Sequence, residues 1–179
     1  MIVKNVKWSK GVRAITLSIT LATLILLAAA GVFAWQGEAE WAGILALPGG
    51  LLAASEIVCF AYGPFKVSLS GSALTVKRGM GKKTFELSHI VDAGAYKLGN
   101  DYRVCGVGGL FGWVGHFRRS RFGSYFAYVG DFEQAFFIVL DSGKRYVLSC
   151  EGREELLGLL TQYNVPAQIP AETVSGRNK

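Results

Sequence analysis

The sequence predicts a membrane helical hairpin followed by an α+β, mainly-β domain: a bent antiparallel sheet or barrel of about seven strands, capped by a C-terminal helix. Three observations carry this reading. Residues 14–37 contain no charged side chain, and residues 41–62 contain one, Glu56. From Phe65 to Cys150, short apolar-polar alternations are separated by Gly, Ser and Asp. The composition agrees: 51% of the 179 residues are hydrophobic and only 18% are charged, which is apolar for a soluble domain.

Residues 1–13 read as a cytoplasmic basic tail carrying Lys4, Lys7, Lys10 and Arg13 with no acid among them. Residues 14–36 follow as the first span. A helix rises about 1.5 Å per residue, so roughly 20 apolar residues cross a ~30 Å hydrocarbon core. Trp35 stands at the far end, where an indole prefers the headgroup level. A cleaved signal peptide is the competing reading, but its apolar core is usually only about 7–15 residues long.

Residues 37–40 are too short for anything but a turn, so a second span over 41–63 must return antiparallel to the first. Pro48-Gly49-Gly50 would break a soluble helix, whereas lipid tolerates such residues, and one kinked span is expected. The turn carries only Glu38 and Glu40, while Lys66, Lys77, Arg78, Lys82 and Lys83 follow the second span before any acid. The positive-inside rule then places both termini in the cytoplasm. This accounts for most of the net charge of +6 without nucleic acid. Glu56 lies inside an apolar run, where a carboxylate needs a partner; a contact within the hairpin or an oligomer fits better than an ion pathway, which two helices cannot enclose.

Residues 65–163 form the cytoplasmic domain. FKVSL and ALTVKR flank a Gly-Ser turn as a hairpin; KTFELSHI, VDAGAYKL, SYFAYVG, AFFIVLD and RYVLSC continue as strands. Asp131 and Glu133 read as hairpin-turn residues. In EGREELLGLLTQY, leucines 156, 157, 159 and 160 form a helical stripe behind acidic first-turn residues. Residues 164–179 carry two prolines and no period, and are expected to be a flexible tail.

Three stretches carry a family resemblance: SLSGSALTVKRG…KTFELSHIVDA, RVCGVGGLFGWVGHFRRSRFGSYFAYV and FFIVLDSGKRYVLSCEGREELLGLL. Over residues 65–163 the chain resembles the pleckstrin-homology-like (PH-like) domains found behind membrane helices in bacterial proteins. The middle stretch, Arg-x-x-Gly-x-Gly-Gly then Gly-Trp-x-Gly-x-Phe, is the most specific. The resemblance implies a lipid-facing or protein-binding module at a bacterial inner membrane, with no catalytic residue to carry over.

The glycine-rich stretch CGVGGLFGWVGHFRRSR also tests for a phosphate cradle. A dinucleotide fingerprint needs G-x-G-x-x-G at the mouth of a helix; here Gly106 and Gly108 are followed by Gly112, one residue late, and no helical pattern follows. Glycines that bend a sheet are the simpler reading. The same stretch puts Leu110, Phe111 and Trp113 near Arg118, Arg119 and Arg121, a mixture suited to membrane or partner contact. Three dispersed cysteines and two histidines suggest no disulfide framework and no metal, and Cys150 reads as a core residue, not a nucleophile. The expectation is a non-enzymatic, multi-pass membrane protein without cofactor, meeting membrane lipids and a membrane protein partner or another copy of itself. An accessory or regulatory subunit of a transporter or membrane enzyme is the alternative.

Overall fold

The computed structural model describes residues 2–163. The expected tail at 164–179 lies outside them. Two long helices come first after a short strand: β1 (Ile2–Asn5), α1 (Lys10–Trp35) and α2 (Ala39–Tyr62). Both helices are long and apolar enough to cross a membrane, and only 11% of each one's apolar window is buried against protein. Pro48 lies inside α2, which nevertheless runs as one helix.

The helices meet along a narrow seam. Thr16, Thr23 and Ala30 are buried on α1 at intervals of seven, and α2 answers with Gly49, Glu56 and Cys59. A seven-residue repeat of small or polar residues suits two helices crossing at a shallow angle. Gly49 is needed for this approach: a Cβ there would stand 2.9 Å from Leu27 Cδ2.

The domain follows as β2 (Pro64–Ser70), β3 (Ala73–Arg78), β4 (Lys82–Glu86), β5 (Ile90–Ala95), β6 (Asp101–Gly108), β7 (Trp113–Arg119), β8 (Gly123–Val129), β9 (Ala135–Leu140), β10 (Arg145–Ser149) and α3 (Arg153–Gln162). Two open sheets form, ordered β1-β2-β3-β4 and β5-β9-β10-β8-β7-β6. That is ten strands among the described residues, not about seven, and no closed barrel. The glycine-rich stretch supplies two of the three extra strands, β6 and β7. The third is β1, which the sequence placed in a basic tail. It pairs antiparallel with β2, Ile2 opposite Leu69 and Asn5 opposite Lys66. The sheets are also not wholly antiparallel, since β10 runs parallel to β8. Because β10 separates β8 from β9, Asp131 and Glu133 sit in a crossover and not in a hairpin turn.

Period-two alternation fills two cores, one on each face of the six-stranded sheet. Phe136, Ile138 and Leu148 face the four-stranded sheet, meeting Leu74, Val76 and Phe85, with Leu156 and Leu160 of α3 closing the end. Phe137 and Val147 face the other way, with Tyr96, Phe117, Tyr125, Ala127 and Val129. Cys150 is fully buried in the first core, and burial pushes its thiol up to about 12.

Candidate functional site

The topology places the whole helical hairpin between two neighbouring antiparallel strands, β1 and β2. Chain entering α1 and chain leaving α2 are therefore held by one sheet. Val6 N–H donates to Phe65 O at 2.8 Å, and Ser9 N–H donates to Gly130 O at 3.0 Å. Ser9 then caps α1 by accepting from Val12 N–H. On the other side, Gly79 N–H donates to Gly63 O and Met80 N–H to Ala61 O, tying the β3–β4 turn to the end of α2. The Arg78 guanidinium stacks over Tyr62 at 5.5 Å.

Four rings close this junction in a cycle: Trp8 meets Phe65 at 5.5 Å and Phe111 at 5.7 Å, while Phe60 meets Phe65 at 5.2 Å and Phe111 at 5.6 Å. All four pairs are edge-to-face, the arrangement the ring quadrupole favours. Phe111 reaches it from the β6–β7 tip with φ of 55°, a left-handed conformation that costs a non-glycine residue of order 1–3 kcal/mol. The tip is fixed further by Thr16 of α1, whose hydroxyl accepts from Phe111 N–H at 3.1 Å and lies 3.5 Å from Gly109 O.

The six residues expected to form one contact patch do not gather. Phe111 is spent in the ring cycle. Trp113 packs in the second core against Phe117 and Phe132. Leu110 remains half-exposed at the tip beside α1. Arg118, Arg119 and Arg121 belong to the opposite end of β7. Seven extended residues separate Trp113 from Arg119 by about 20 Å at ~3.3 Å per residue. Arg119 is engaged there: it donates to Lys97 O at 2.8 Å and stacks over Tyr96. Arg118 and Arg121 are exposed.

The glycines between them set the strand spacing. Gly106 and Gly115 face each other across β6 and β7. A Cβ on either would stand 2.3 Å from the opposing carbonyl, Val114 O or Cys105 O. Both also have positive φ, 137° and 145°.

Glu56 finds its partners within the hairpin. Thr23 Oγ1 donates to one carboxylate oxygen at 2.6 Å and Thr20 Oγ1 to the other at 3.1 Å. The two threonines, three apart on α1, present their hydroxyls on one face.

Two further polar clusters were not singled out in the sequence. Asp101 accepts from Tyr125 O–H at 3.1 Å and Gly99 N–H at 2.7 Å, and from Tyr96 O–H, which pins the β5–β6 loop over the second core. Burial pushes the Tyr96 phenol up to about 12 and raises Tyr125 as well. His89 lies 2.6 Å from Asp141 and 3.5 Å from Glu86 on the surface. The Asp141 hydrogen bond raises the His89 pKa, and the same bond lowers that of Asp141. Among the described residues, no three His, Cys, Asp or Glu side chains converge as a metal would require.

A family model described as Bacterial PH domain matches residues 65–164, more than half of the chain. Neither the curated proteins nor the solved structures supply a match. The matched region begins one residue into β2, so the family unit excludes β1 and both long helices. The chain belongs to the bacterial PH domain family.

Proposed function

We propose that this chain is an integral inner-membrane protein of a bacterium, with both termini cytoplasmic, that holds its PH domain in one fixed orientation at the membrane surface as a non-enzymatic binding module. The insertion of the hairpin between β1 and β2 carries this reading, because both crossings from helix to domain are hydrogen-bonded and leave no flexible tether. A short tether would let the domain tumble; this junction does not. The fixed pose sets which surface meets lipid. Thr16 lies more than a turn inside α1, so the Gly109–Phe111 tip bound to it stands at headgroup depth, with Leu110 outward and Lys7 and Lys10 exposed nearby. Those groups combine apolar and cationic interfacial contacts. Arg118 belongs to a surface removed from the bilayer and is offered to a partner. The hydroxyls around Glu56 satisfy that carboxylate inside the hairpin, so assembly does not depend on a second protein to bury it.

Full-length chain reconstituted in phosphatidylglycerol-containing vesicles tests the pose. An environment-sensitive probe on Leu110→Cys should be quenched by lipids spin-labelled near the headgroup, and the same probe on Arg121→Cys should not. Equal quenching at both sites would overturn the fixed orientation.

A further inference from the structure

We infer that the cleft beside β4 binds an extended, acid-rich segment of a partner protein by strand addition. The inference rests on reading the domain as a binding module, and does not depend on its depth at the bilayer. Among the described residues, strand β4 is the outer strand of the four-stranded sheet and is bonded to β3 alone. Two hydrogen bonds set the phase of that pairing: Arg78 N–H to Gly81 O at 3.0 Å, and Leu87 N–H to Ser72 O at 2.9 Å. In an antiparallel ladder, bonded and non-bonded pairs alternate. Val76–Lys83 and Leu74–Phe85 are then bonded pairs, and the backbone groups of Lys82 and Thr84 point away from β3. They open onto a cleft whose opposite wall is the β9–β10 hairpin, with Leu140, Asp141 and Tyr146 facing Lys83–Glu86.

The floor is aromatic. Tyr146, backed by the buried Phe85 at 4.7 Å, is half-buried, and the half-buried Phe126 continues the row to the exposed His116 at 4.8 Å. An added strand lies about 4.8 Å from β4, which sets its alternate side chains on these rings.

Charge selects the occupant. Lys83, Lys144 and Arg145 line the wider part of the cleft, and among the described residues no Asp or Glu lines that part. At the narrow end, Glu86 and Asp141 are both held by His89. Lysines on an edge strand normally repel strand partners and so prevent aggregation. A second copy pairing through β4 would bring Lys82 and Lys83 against their own counterparts, which is unfavourable. An acidic segment turns the same lysines into attraction, so the guard becomes a filter. The Gly143–Lys144 turn lies at the end of β9 and β10 away from Ser149, which bonds Gly130 at the helix junction. The outward N–H and C=O groups of Lys82 and Thr84 favour a polypeptide backbone over a lipid headgroup.

The probe is a fluorescein-labelled ten-residue peptide alternating Glu and Val, titrated into full-length chain in nanodiscs of neutral lipid. Binding should be saturable, should weaken with salt, and should vanish for the peptide with Lys in place of Glu. Lys83→Glu should lower affinity at least tenfold. Thr84→Pro removes an outward N–H while leaving the bonds to β3, so it should also lower affinity at least tenfold with an unchanged melting temperature. Binding that survives Thr84→Pro would overturn strand addition, as would equal displacement by phosphatidylglycerol vesicles or absence of binding. None of these outcomes alters the Leu110 quenching result, so the two readings fail separately.

Discussion

Replacing Trp8 with alanine should loosen the PH domain from the hairpin without unfolding it. Truncating a fully buried Trp costs roughly 3–5 kcal/mol. Trp8 is about half-buried, and its losses are the edge-to-face contacts with Phe65 and Phe111 plus a long bond from Nε1 to Pro64 O at 3.5 Å. Half the full cost gives about 2 kcal/mol, or about a 30-fold change in a local opening equilibrium at 1.4 kcal/mol per decade. Hydrogen exchange of the reconstituted protein reads this directly. The amides of Val6 and Ser9, bonded to Phe65 O and Gly130 O, should exchange about 30-fold faster. Amides of Ile138 and Val147, in the centre of the six-stranded sheet, should not change. Uniform acceleration, or none, would refute the ring cycle as the element that holds the junction.

Other consequences are as concrete. Gly115→Ala must push a Cβ against Cys105 O, and at φ of 145° it should lower thermal stability by about 2–4 kcal/mol, while Gly158→Ala on the exposed face of α3 should be neutral or stabilising. Thr20→Val with Thr23→Val strips the Glu56 carboxylate of both hydroxyls and should destabilise the hairpin in detergent by about 1–3 kcal/mol, whereas Glu56→Gln, whose amide oxygen accepts from one threonine while its NH2 donates to the other hydroxyl oxygen, should cost less; the reverse order would contradict the pairing. A water-soluble maleimide should modify exposed Cys105 in the folded protein and spare Cys150, whose thiol is raised to about 12 by burial. The His89–Asp141 pair should be strongest in mildly acid solution. His89 has a raised pKa, so its contribution is complete below the ordinary value of 6.5 and is lost as pH rises through the raised folded value; Asp141 has a lowered one, so its share holds above the ordinary 3.8 and fades as pH falls through the lowered value. Titration of the His89 ring by NMR should shift downward in Asp141→Asn, and an unchanged midpoint would exclude the pair.

The helices and most strands were legible because their signals are local. An uncharged run over 14–37 declares a span by length alone, and AFFIVL or RYVLS declare strands by composition. Strand β1 had no such signal. IVKN is four residues long, and its partner Ser68 lies across the entire hairpin in sequence, so only tertiary pairing reveals it. Strands β6 and β7 were hidden by glycine, whose presence lowers strand propensity even where, as at Gly106 and Gly115, two backbones must nearly touch. The dispersed candidate patch follows from geometry. Trp113 and Arg119 are near in sequence, but an extended chain carries them to opposite ends of β7, about 20 Å apart at ~3.3 Å per residue. Nothing local marks Trp8 as the keystone of an aromatic cycle that joins three segments distant in sequence, at residues 8, 60–65 and 111.

The central claim is that the segment before the first helix pairs as a strand with β2 of the PH domain, on the same side of the membrane. Val3 and Ser68 are directly opposed in the β1–β2 ladder. Directly opposed residues stand about 4.5–5.5 Å apart at Cα, within disulfide reach. In membrane vesicles carrying Val3→Cys with Ser68→Cys on a Cys105→Ser background, mild oxidation should join the pair nearly completely, and Val3→Cys with Thr84→Cys should stay open. Failure of the first pair to join, with Val3→Cys labelled from the opposite face of the membrane to Ser68→Cys, would contradict it.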